Sequence, residues 1–126
     1  MSAVLKLAHD ESVRLDRSQL EVLYQTLGPT GADKVVNHAL EEISISLTRG
    51  VKEYRQGRLD ELRATLRGLT AVAQQVGMMT LARVARDVQE LSLTHDAAAL
   101  GATMARLTRI GETSLVAVWD LQDLSV

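Results

Sequence analysis

The sequence predicts an all-α protein, an antiparallel four-helix bundle with an additional N-terminal helix, and three observations carry that prediction. Apolar residues recur at spacings of three and four along most of the 126 residues, the period of a helix with one buried face. Proline occurs once (Pro29), phenylalanine is absent and aromatics make up 2 %. The core must therefore be built from Leu, Val, Ile, Ala and Met, a set that favours helices over a sheet. The breaks between periodic stretches are short, and short connections set successive helices antiparallel.

The elements follow in order. Residues 1–11 form a short lead-in, and residues 12–126 form the domain. A first helix runs from about Ser12 to Leu27, with Leu20, Leu23 and Leu27 in register, and Gly28-Pro29-Thr30-Gly31 stops it. A second runs from about Ala32 to Arg55 on the stripe Val36, Leu40, Ile43, Leu47, Val51 and Tyr54. Gly50 lies inside it at a cost in propensity, which suits close packing. After Gln56-Gly57, the third helix carries Leu59, Leu62, Leu66, Leu69, Ala73 and Val76, the pattern of a bundle seam, and ends at Gly77. The fourth carries Leu81, Val84, Val88 and Leu91, and Ser92 to Asp96 turns the chain and offers capping side chains. The last carries Leu100, Met104, Leu107, Ile110 and then Val116 to Leu121, with an interruption expected at Gly111. Helices two to five make the bundle, and the first lies across one end.

Composition narrows the function. A net charge of −2 leaves no strong global field, which argues against nucleic-acid binding through bulk charge. Cysteine is absent, which excludes disulfides, a thiol nucleophile and a zinc–thiolate site and fits a cytosolic protein. No apolar run approaches the roughly 20 residues of a membrane span, and Met1 to Glu11 lacks the apolar core of a signal peptide. His9, His38 and His95 are isolated, without a ligand partner at metal-binding spacing on the same helix. Gly28 and Gly31 lack the lysine and preceding strand of a phosphate loop. Glu41-Glu42 has no accompanying Glu-x-x-His pairs, so a solvated acidic face is the better reading than a di-iron site. No enzyme active site, metal or cofactor is expected.

The third and fourth helices resemble the histidine-containing phosphotransfer domains of phosphorelays. The family segment reads roughly G-D-x-x-x-L-R-x-x-A-H-x-L-K-G, five small and apolar residues, then Gly. Here Gly57 to Gly77 reads GRLDELRATLRGLTAVAQQVG. Gly57, Leu62, Arg63, Leu69, Val76 and Gly77 fall on family-like positions without a gap, and Gln89 falls where some members place a glutamine beside the phosphorylated histidine. The likeness extends loosely over residues 15–123. It implies a helical bundle that docks a response-regulator receiver or a histidine kinase. The histidine position, however, is Arg67, the family lysine is Thr70 and the following family glycine is Ala71. A second register puts Ala64 at the histidine position and stretches the glycine spacing by three residues.

Phosphohistidine relay needs a neutral nitrogen lone pair near neutral pH, which imidazole supplies. Arginine stays protonated and has none. The resemblance therefore implies a module that binds in two-component signalling without carrying phosphate. Arg63, Arg67, Thr70 and Gln74 recur at helical spacing as one stripe that reads as exposed, suited to pairing with the carboxylates of a receiver pocket. An ordinary solvated helix face is the plainer reading of the same residues. Gln89 is either a partner contact or a polar boundary residue. Met78 reads as gap-filling, or as apolar contact past the end of the stripe, and Trp119 as a packing anchor. Two other functions stay open. One is an active relay through His38 or His95, which needs an exposed histidine midway along a bundle face. The other is a structural homodimer, which needs a large apolar patch on the final helix.

Overall fold

Residues 12–124, with side chains to Gln122, are described by the computed structural model; the expected lead-in, residues 1–11, lies outside the described residues. Four helices follow one another: α1 (Arg17–Arg55), α2 (Leu59–Gln75), α3 (Met79–Leu91) and α4 (Ala97–Leu124). Among the described residues there is no sheet, only an isolated bridge between Leu15 and Met78.

Helix α1 joins what the sequence separates. Gly28 breaks the helical path at φ 75° and ψ 168°, and Pro29 follows. The residue before a proline is pushed out of the helical region, and glycine takes the positive φ without steric cost. Helix nevertheless resumes at once, because proline at a helix start lacks only a donor that had no partner there. The first two expected helices are therefore one kinked element. It also begins later than expected, at Arg17, capped by the Asp16 carboxylate accepting from the Ser18 N–H at 3.0 Å. Across the kink, the Tyr24 hydroxyl donates to Asp33. Burial, and then this bond to a carboxylate, hold the phenol above the usual tyrosine range.

The segment expected to open the first helix instead runs extended along the α2–α3 turn. Asp16 N–H donates to the Gly77 carbonyl at 2.7 Å, Met79 N–H to the Arg14 carbonyl at 3.1 Å, and Arg14 N–H to Thr80 Oγ1 at 2.7 Å. Gly77 has φ +78°, and a Cβ there would lie 2.4 Å from the Asp16 carbonyl oxygen. Only glycine serves at that position.

The four helices close into a ring in which α1 meets α2 and α4, and α3 meets α2 and α4. Contacts establish the antiparallel sense. A Cβ on Gly101 would lie 3.0 Å from the Tyr54 hydroxyl, whereas one on Gly111, later in α4, would meet Leu47, earlier in α1. Likewise Arg63 reaches Ser92, and Thr70 reaches Gln89. The buried apolar residues are all Leu, Val, Ile, Ala and Met. Leu62, Leu66, Leu69 and Val76 of the expected seam are fully buried, and Leu59 is half-buried where the helix begins. At the start of α4, Asp96 Oδ1 accepts from the Ala99 N–H at 2.9 Å, as the capping residues around it suggested.

Two expectations about α4 need correction. Helix α4 does not break at Gly111. A side chain there would come within 2.5 Å of Leu47, so the glycine serves close helix approach rather than interruption. Trp119 is no packing anchor: it is 64 % exposed. The core row of α4 runs Leu107, Ile110, Ser114 and Val118, all buried, and Trp119 lies one residue, about 100°, off that row.

Candidate functional site

Helices α2 and α3 set the geometry of the face on which the sequence-derived site falls. The buried row of α2, Leu62, Leu66, Leu69 and Ala73, points into the bundle. The opposite crest is Asp60, Ala64, Arg67, Ala71 and Gln75, all exposed. The exposed stripe is thus rotated from the expected one, and of Arg63, Arg67, Thr70 and Gln74 only Arg67 is exposed. The reason is that α3 packs on the flank of α2 that carries the other three.

That flank forms a polar seam between the two helices. Thr70 is buried; its hydroxyl donates to the Leu66 carbonyl at 2.8 Å and accepts from Gln89 Nε2 at 3.2 Å. Gln89 Nε2 also donates to the Ala85 carbonyl at 3.3 Å, and its own carbonyl accepts from Ser92 Oγ at 2.6 Å. Arg63 completes the chain. One guanidinium nitrogen donates to Ser92 Oγ at 3.1 Å and to the Ser92 carbonyl at 3.4 Å, and another pairs with Asp60. A cation at the C-terminal end of α3 also suits the helix dipole. Arg63, Thr70 and Gln89 therefore hold α3 to α2, while Gln74 is half-buried at the same boundary. Gln89 and Thr70 are brought together as partners of each other, which spacing on separate helices does not disclose. Met78 is fully buried, a core residue at the α2–α3 turn rather than a rim beside the stripe.

Arg67 is different. Among the described residues it makes no hydrogen bond or ion pair. Its neighbours on the helix surface at i−3, i+1 and i+4 are Ala64, Gly68 and Ala71. On its outer side the helix thus carries only small side chains next to Arg67, where a partner can approach the backbone closely, while Arg63 and Thr70, at i−4 and i+3, lie toward α3. On α3, Arg83 and Arg86 are exposed one turn apart and also lack an ion pair among the described residues. Their i, i+3 spacing on the polar side of an amphipathic helix was the sequence signal for them. Chemically the face offers the fixed positive charge and donors of Arg67, Arg83 and Arg86, with the exposed carboxylates of Asp60 and Glu90 at its margins.

The histidines lie elsewhere. His38 is on the outer side of α1 with its side chain 71 % exposed, and its Nε2 lies 3.1 Å from Glu42 Oε1. It therefore does have a carboxylate one turn away, contrary to the reading of it as isolated, and it faces solvent. His95 is exposed in the α3–α4 turn. Among the described residues no group of three or more His, Cys, Asp or Glu side chains is placed to hold a metal ion, and no helix is long and apolar enough to cross a membrane.

Comparison with protein-family models, with characterised proteins and with solved structures finds no match for this chain.

Proposed function

We propose that this protein is a binding module of the histidine phosphotransfer type that docks a response-regulator receiver or a histidine kinase without carrying phosphate. The observation that carries the reading is Arg67, an exposed guanidinium with no partner among the described residues, whose outer neighbours are Ala64, Gly68 and Ala71. In the preferred register of the sequence resemblance it takes the place of the family's phosphorylated histidine. A cation there complements a carboxylate-lined pocket through charge-assisted hydrogen bonds, and the small residues let a partner helix come close. The docking set is narrower than the sequence stripe: Arg67 at the centre, with Arg83 and Arg86 as flanking charge. Arg63, Thr70 and Gln89 support the face by fastening α3.

A second reading rests on His38, whose exposure and pairing with Glu42 suit an imidazole that accepts a phosphoryl group. One set of experiments separates the two. Receivers from the source organism are titrated calorimetrically with wild-type protein and with Arg67→Glu. The docking reading expects weaker binding of the variant, and weaker binding of the wild type as salt rises. Incubation with phosphorylated receiver should leave no acid-labile phosphate on the protein. Equal affinity of both forms would remove Arg67 from the site, and phosphate lost on His38→Gln would establish the relay instead.

A further inference from the structure

We infer that the outer face of α1, together with the adjoining flank of α4, is a self-association surface that binds a second copy of the chain antiparallel about Ile45. Independent of the docking face on α2 and α3, the inference rests on an apolar patch and on the charge pattern around it.

The patch joins two helices. Ile45 is 51 % exposed, Val116 60 % and Trp119 64 %. Ile45, Leu115 and Trp119 line one groove between α1 and α4, together with Glu41 and Ser44. Ile45 also lines the groove on the other side of α1, toward Gly68 and Val72 of α2. It therefore forms the crest of α1, with open surface on both sides. A large exposed aromatic in one groove with an exposed β-branched residue, and Val116 exposed one turn before it on α4, is the composition of a contact patch rather than of a solvated helix face.

Charge names the occupant. Along the crest, Glu41 and Glu42 precede Ile45 by four and three residues, and Arg49 and Lys52 follow it by four and seven; all four are exposed. Among the described residues Glu41, Arg49 and Lys52 have no ion pair, and Glu42 has only His38. A two-fold axis at Ile45 sets Glu41 against the Arg49 of the other copy, Lys52 against the other copy's His38 with its partner Glu42, and Ile45 against its own mate. A parallel pair instead sets acid against acid and base against base. The crest is thus complementary to itself in one orientation, which is what an isologous interface requires. The groove that holds Trp119 also holds Glu41, so the incoming Arg49 or Lys52 meets a carboxylate and an aromatic face together.

The test uses the full chain. Sedimentation equilibrium up to submillimolar concentration should show a monomer–dimer equilibrium. Trp119, the only tryptophan, should shift its emission to shorter wavelength as dimer forms. Two charge-reversed variants complete the experiment: Glu41→Lys with Glu42→Lys, and Arg49→Glu with Lys52→Glu. Each alone should remain monomeric, and an equimolar mixture should form a heterodimer. Far-UV circular dichroism confirms that each variant is folded. A wild type that stays monomeric across the range would overturn the proposal. So would variants that self-associate as the wild type does, or a mixture that does not associate.

Discussion

Arg63 and Arg67 are one helical turn apart on α2, yet their surroundings give them different work. Arg63 has a side chain 19 % exposed, paired with Asp60 and donating to Ser92. Its charge is already committed inside the chain. Arg67 is exposed and has no hydrogen bond or ion pair among the described residues. Stability should record the difference. Arg67→Glu should move the unfolding free energy by no more than about 0.5 kcal/mol, as exposed helix positions usually do. Arg63→Ala should cost clearly more, about 1–2 kcal/mol, because Ser92 loses its donor and α3 loses a cation at its C-terminus. Denaturant titration of the two variants side by side checks this. Similar losses for both would mean that Arg67 is tied into the fold and is not free to dock.

At the scale of the element, the α2–α3 turn concentrates several constraints in a few residues. Gly77 takes a left-handed φ, and the Asp16 carbonyl sits where its side chain would be. The extended residues before α1 are held by bonds from Asp16 to Gly77 and from Met79 to Arg14. Gly77→Ala should therefore destabilise in two ways. The backbone strain alone is about 1–2 kcal/mol, and the close contact forces residues 13–16 off the turn. The expected outcome is a lower melting temperature together with faster amide exchange at Asp16 and Met79. Unchanged protection at those two amides would show that the bridge does not depend on the glycine. The kink at Gly28 is the opposite kind of element. A Cβ there would meet nothing within 4 Å, so its glycine serves the backbone angle alone.

For the whole molecule, one apolar cluster is shared by all four helices, from Val36 of α1 through Leu69 and Val84 to Val118 of α4. No helix owns a separate core, so unfolding should be a single cooperative transition. Leu69 is 1 % exposed within this cluster. Leu69→Ala should cost about 2–5 kcal/mol, the range for a buried leucine truncated to a methyl. Helicity and hydrogen-exchange protection should fall together across α1 to α4. Loss confined to α2 would show that the helices are energetically separate units.

The sequence by itself determined the helical class, the antiparallel order and most of the core, though Leu27 and Val116 of its apolar rows lie exposed. Class, order and core rest on periodicity and on turn residues such as Gly57 and Gly77, which act within a few residues of themselves. It also marked Arg67 as a position without a nucleophile, since side-chain identity decides that. Tertiary structure alone decided what each flank of a helix faces. Thr70 and Gln89 share a period with exposed neighbours, and only the approach of α3 buries the one against the other. The packing of Val118 into the core similarly turns Trp119 outward. The continuity of α1 through Gly28 and Pro29 was equally illegible, because the same dipeptide ends a helix or merely bends it. Contacts on both sides of the break, such as Tyr24 with Asp33, determine which. Local chemistry sets the period of a helix, but the rotation of that helix about its own axis is set by its neighbours.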